Sequence, residues 1–132
     1  MENKFTGISA SEISKELNNI EPNITGNTYR RIFSYIDLTS LNHTDSISTI
    51  RGLCEKVNNF GFMFPDLPNV AAICVFPRFV PTVRELLSIE QINIASVAAS
   101  FPSSQTFLEN KIDEVKRVVD KGADEIDIVI SI

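Results

Sequence analysis

The sequence predicts an α/β protein with a parallel sheet, on two observations. Short apolar runs of strand length alternate with longer segments whose apolar residues recur every three or four positions. The run over residues 70–76 is apolar throughout instead of alternating with polar residues, which marks a strand covered on both faces. The rhythm reads β-α-β-α-β-α-β, and this alternation implies right-handed crossovers between parallel strands. Two architectures satisfy it: the first half of a (β/α)8 barrel, and an open flavodoxin-like sandwich. A complete barrel runs to roughly 250 residues, and this chain has 132.

Residues 1–33 read as an N-terminal helical cap rich in Asn and Ser. Ser9 or Ser11 caps a short helix that Glu21-Pro22-Asn23 ends, and a second helical or turn segment covers residues 27–33. Residues 34–132 form the half barrel. Its first strand is residues 34–38. Residues 46–59 put Ile47, Ile50, Leu53, Cys54 and Val57 on one helical stripe. Residues 69–76 make the second strand. Pro77 to Pro81 lead into a helix over residues 82–88, with Pro81 in its first turn. Residues 92–99 are the third strand. Ser103 and Ser104 can cap a helix over residues 105–121. Its stripe is Phe107, Leu108, Ile112, Val115, Val118 and Val119, and Gly122 is its C′ residue. Residues 125–132 are the fourth strand.

Hydrophobic residues make up 43% and charged residues 22%, the balance of an ordinary soluble domain. A net charge of −5, with Arg30-Arg31 as the longest basic cluster, argues against a nucleic-acid partner. The apolar run over residues 70–76 is too short to span a bilayer, and residues 1–6 are too polar for a signal peptide, so no membrane partner is expected. Cys54 and Cys74 fit no zinc spacing and His43 is the sole histidine, so no metal site is expected. These features predict a cytoplasmic protein with free thiols.

Polar or reactive residues fall near the C-terminal ends of the predicted strands: Asp37-Leu38-Thr39, Cys74, Ser100-Phe101 and Asp127. Ligands bind at that edge of parallel α/β proteins. The segments around these positions are more specific than the positions alone. Asp37-Leu38-Thr39-Ser40-Leu41 follows a D-L-T-x-L pattern. Ala72 to Val80 follows A-x-C-V-x-P-x-x-V, Ala98 to Pro102 stands at a V-x-x-F-P turn, and Gly122 to Val129 follows G-A-x-E-[IV]-D-x-V. Four such segments in order, across residues 34–132, resemble the deoxyribose-phosphate aldolase family; residues 1–33 carry no such match.

The resemblance implies reversible cleavage of 2-deoxy-D-ribose 5-phosphate to D-glyceraldehyde 3-phosphate and acetaldehyde, without metal or other cofactor. It implies a catalytic proton-relay role for Asp127 and substrate-contact roles for Asp37, Thr39, Cys74 and Phe101. It also implies a Schiff-base lysine, a partner lysine that lowers its pKa, and phosphate-binding loops, all in a second half beyond residue 132. The six lysines present are Lys4, Lys15, Lys56, Lys111, Lys116 and Lys121, and none falls in an apolar strand run. Those on helices are expected to be solvated, hence protonated and poor nucleophiles. The 132-residue chain is therefore expected to lack aldolase activity alone.

Several residues carry blander expectations. Cys54 is core, Cys74 is both core and pocket wall, and His43 is a solvated loop residue. Glu109, Asp113, Glu114 and Lys116 form a charged helix face with no assigned function. Half a barrel exposes its first and fourth strands as edges, so a homo-oligomer is expected.

Overall fold

The computed structural model describes residues 9–19 and 25–131. Two helices, α1 (Ala10–Asn19) and α2 (Gly26–Phe33), precede the repeating part. Then come β1 (Asp37–Ser40), α3 (Ile47–Met63), β2 (Ala72–Val75), a 3-10 turn (Pro77–Phe79), α4 (Val80–Leu86), β3 (Asn93–Ala98), α5 (Leu108–Asp120) and β4 (Glu125–Ile128). The strands form one parallel sheet in the order β1-β2-β3-β4.

That order decides between the two expected architectures. Every crossover steps to the next strand in the same direction. Right-handed crossovers that all step one way lay their helices on a single face. A flavodoxin-like sheet reverses direction and covers both faces. The open sandwich is therefore incorrect, and the sheet is built like a section of barrel wall.

The core lies on the helix side. Ile50, Cys54 and Val57 of α3, Phe79, Val80 and Val83 around α4, and Val118 of α5 pack against Ile73, Val75, Ile92 and Ile94. Burying one such side chain contributes roughly 1.5–3 kcal/mol. Polar ties join the layers. Asn58 donates to the Leu86 carbonyl at 2.8 Å and accepts the Ser88 N–H at 2.9 Å, fixing the end of α4 against α3. Ring stacking of Phe33 on Phe60, 5.3 Å between centroids, seats α2 on α3. By contrast, α1 is exposed at each of residues 10–18.

Local chemistry explains the boundaries. Ser46 caps α3 through a capping box, taking the Thr49 N–H at 3.2 Å and giving its own N–H to Thr49 Oγ1 at 2.7 Å. β1 starts three residues later than expected because α2 runs on: Ser34, Tyr35 and Ile36 donate their N–H groups back to Arg30, Ile32 and Phe33. β2 and β4 are shorter than their apolar runs: the strand register covers Ala72–Val75 and Glu125–Ile128, with backbone hydrogen bonds at Ala71 and Asp124 leading into them.

The start of α5 also departs from expectation. Ser103 and Ser104 do not cap it; Phe107 stands at the N-cap without a side-chain hydrogen bond. The Ser104 hydroxyl is committed elsewhere, donating to the Val129 carbonyl at 2.7 Å. The expected apolar stripe is only partly covered: Val118 is buried and Val115 half-buried, but Phe107, Leu108, Ile112 and Val119 are exposed, and Lys111 is buried instead. Gly122 ends the helix at φ +101, the left-handed C′ conformation.

Candidate active site

Alternate residues of a strand face opposite sides of the sheet. With Ile73, Val75 and Ile94 turned to the helices, Ala72, Cys74, Ala95 and Val97 face the other way, and Leu41, Phe76 and Phe101 pack against them. Asp37 and Thr39 lie in register with Ala72 and Cys74. Glu125 and Asp127 lie in register with Ala95 and Val97. The helix-free face therefore gathers Asp37, Thr39, Cys74, Phe101 and Asp127, the residues singled out from the sequence, and adds Glu125.

Cys74 is the centre of this group. It is 2% exposed, and its thiol donates to Asp127 Oδ2 at 3.6 Å. Burial pushes the thiol up to about 11, and the negative charge of Asp127 and the hydrogen bond to it push the same way; a hydrogen bond with Thr39 acts against them. A thiol held this way stays protonated at neutral pH and serves as a donor, not a nucleophile. The Thr39 hydroxyl also donates to the Asp37 carbonyl at 2.9 Å. Although β1 leaves Asp37 open to solvent on one side, desolvation by its neighbours holds its carboxyl above the ordinary range, followed by the charges of Glu125 and Asp127.

Glu125 escaped the sequence reading. Its Oε1 accepts the Asn93 amide at 2.5 Å, and it adds a third carboxylate to the face. The signal was present: Glu125 and Asp127 are two apart on a strand and must share a side. Among the described residues, no lysine or arginine pairs with Asp37, Glu125 or Asp127; the ion pairs are Arg84–Asp124 and Arg117–Asp113. Arg84 also donates to the Gly122 carbonyl, and Asp124 accepts the Ile94 N–H at 2.9 Å, which anchors the start of β4. Among the described residues, no group of three or more His, Cys, Asp or Glu is placed to hold a metal ion.

The lysines need one correction. Lys15, Lys56, Lys116 and Lys121 are exposed as expected, and Lys4 lies outside the described residues. Lys111, expected to be solvated, is only 9% exposed, because its side chain turns under the β3–α5 loop. Glu114, read as part of a charged surface, reaches the Ser100 N–H at 2.8 Å.

No protein-family model matches the chain. Individual relatives do. Over 103 residues the chain is 39% identical to deoxyribose-phosphate aldolase of Aciduliprofundum boonei, covering 78% of this chain and 42% of that protein. Over 108 residues it is 37% identical to human deoxyribose-phosphate aldolase, covering 74% of this chain and 34% of that protein. The chain is a homologue of the deoxyribose-phosphate aldolases. It spans about a third of the human relative's length and rather more of the archaeal one. The tetrameric deoxyribose phosphate aldolase from Aeropyrum pernix shares the fold, with a TM-score of 0.63 at 23% identity over 92% of this chain and 46% of that chain. The parallel sheet is thus one section of an aldolase fold. Among the described residues, no helix is long and apolar enough to cross a membrane.

Proposed function

We propose that this chain provides the carboxylate side of a deoxyribose-phosphate aldolase site. The observation that carries the proposal is the charge on the helix-free face: Asp37, Glu125 and Asp127 stand together with no cation paired to them among the described residues. Schiff-base aldol chemistry sets a positively charged nitrogen beside a proton-transferring carboxylate, so this face is what a lysine-bearing partner segment would complete.

In the retro-aldol direction the hydroxyl β to the carbonyl loses a proton as the C–C bond breaks, and the carbon fragment then takes a proton up. Asp127 is the group proposed to pass these protons. Cys74, protonated and hydrogen bonded to it, orients the carboxylate. Asp37 and Thr39 are proposed to contact substrate hydroxyls, and Phe101 to shield the site from water. Residues 1–33 are the cap and residues 34–132 the barrel section. The Schiff-base lysine and the phosphate site belong to a segment outside these 132 residues, so the chain alone is inactive.

Two measurements test this. An acetaldehyde-release assay with 2-deoxyribose 5-phosphate should give no turnover for the chain alone; turnover would overturn the assignment of the nucleophile to another segment. Millimolar 2-deoxyribose 5-phosphate should move the amide resonances of Thr39, Cys74 and Asp127 ahead of those on α3. Unmoved resonances on that face would overturn the substrate-contact roles.

A second proposal has its own observation. β1 and β4 are the outer strands of the sheet, and Leu108, Ile112, Ile128 and Ile130 are exposed on the β4 side. A non-catalytic, self-associating half barrel would bury them. Sedimentation equilibrium separates the cases: a dimer favours self-association, and a monomer at micromolar concentration counts against it.

A further inference from the structure

Lysine is rarely buried unless its ammonium is paired. Lys111 is buried on α5, a helix with only one other buried residue, and its ammonium donates to Ser104 Oγ at 2.6 Å and to Ser131 Oγ. The Ser104 hydroxyl passes the contact on to the Val129 carbonyl at 2.7 Å. One side chain thus ties α5 to the β3–α5 loop and to the exit of β4.

Both tied segments carry site residues. In the loop, Ala99, Ser100 and Ser104 all take left-handed φ values, 59, 58 and 57. Non-glycine residues persist there only where surrounding contacts hold them. Those contacts come from α5: Glu114 holds the Ser100 N–H at 2.8 Å and Lys111 holds Ser104. Between them lies Phe101, packed against the face that bears Cys74. At the β4 exit, Val129 and Ser131 come just after Asp127.

We propose that Lys111 is a positioning residue for the candidate site: through Ser104 and Ser131 it fixes the Phe101 loop and the exit of β4, and so holds Phe101 and Asp127 against Cys74. Its functional meaning rests on the aldolase proposal, but its test does not read turnover, so either can fail without the other.

The test is alkylation of the full 132-residue chain with iodoacetamide at fixed pH, with peptide mapping to follow Cys74 and Cys54 separately. Cys54 is also buried, but on α3 at the helix side of the sheet, so it reports general loosening of the fold. Lys111→Met keeps an apolar stem and removes the ammonium. Cys74 should then react about tenfold faster, the factor expected when local opening is eased by one hydrogen bond to a charged group, while Cys54 is unchanged. Ser131→Ala, a milder change at an exposed residue, should act in the same direction and decides the matter if Lys111→Met does not fold. Equal acceleration of both cysteines would make Lys111 a general stability residue and overturn the proposal. An unchanged Cys74 rate in folded variants would overturn it as well.

Discussion

Cys74 reports on its own surroundings. Burial and the adjacent Asp127 carboxylate raise its thiol to about 11, and only the thiolate reacts with alkylating agents. Asp127→Asn removes the negative charge while keeping size and an acceptor. The midpoint of the Cys74 alkylation-rate profile should move to lower pH, and the rate at pH 9 should rise. An unmoved midpoint would mean that burial alone sets the thiol. Asp37 gives a second prediction, with its sign fixed by linkage. Its folded-state carboxyl is raised, so the neutral form is favoured in the fold. Its favourable contribution is complete below the unfolded-state value and is lost as pH rises through the folded-state value. Asp37→Asn should therefore raise the melting temperature at neutral pH and lose that advantage in acid, as thermal melts at the two pH values would show. The residues of this face were legible where the four sequence segments named them. Glu125 was not, because its neighbours drew attention to Asp127. Lys111 was not, because helical periodicity in residues 105–121 points to the apolar row beside it.

Strands and helices were easier to find than their ends. The apolar runs marked β2 and β3 because both faces of each are covered, by helices on one side and by Leu41, Phe76 and Phe101 on the other. Their lengths were overestimated, since a strand stops where its partner stops and the sequence of one run does not show that. The helix ends depend on single side chains. Ser46→Ala should cost α3 about 1 kcal/mol through loss of the capping box, measurable by urea denaturation. Gly122→Ala should cost at least about 1 kcal/mol, the left-handed penalty for a residue with a Cβ, because that Cβ would also stand 2.9 Å from Arg84 Nε. A loss well below this would show that the backbone at residue 122 relaxes out of the left-handed region and that Arg84 moves aside freely.

For the whole molecule, the direction of chain travel matters more than any one element. All three crossovers advance the sheet in one sense and, among the described residues, leave one face free of helices. Sequence periodicity allowed a barrel section and an open sandwich equally, because a strand covered on both faces looks the same in either. The resemblance to deoxyribose-phosphate aldolases favoured the barrel, and the strand order together with the homologues decided it. In the function proposed for this barrel section, the carboxylates stand on the sheet face and the amine comes from another segment. Borohydride trapping tests this most directly. The chain is incubated with acetaldehyde or 2-deoxyribose 5-phosphate, reduced, and mapped by mass spectrometry beside a full-length aldolase. The full-length enzyme should carry one stoichiometric adduct and this chain none at any single lysine. A stoichiometric adduct on one lysine of this chain, Lys111 above all, would show that the nucleophile is already present and would contradict the division of the site proposed here.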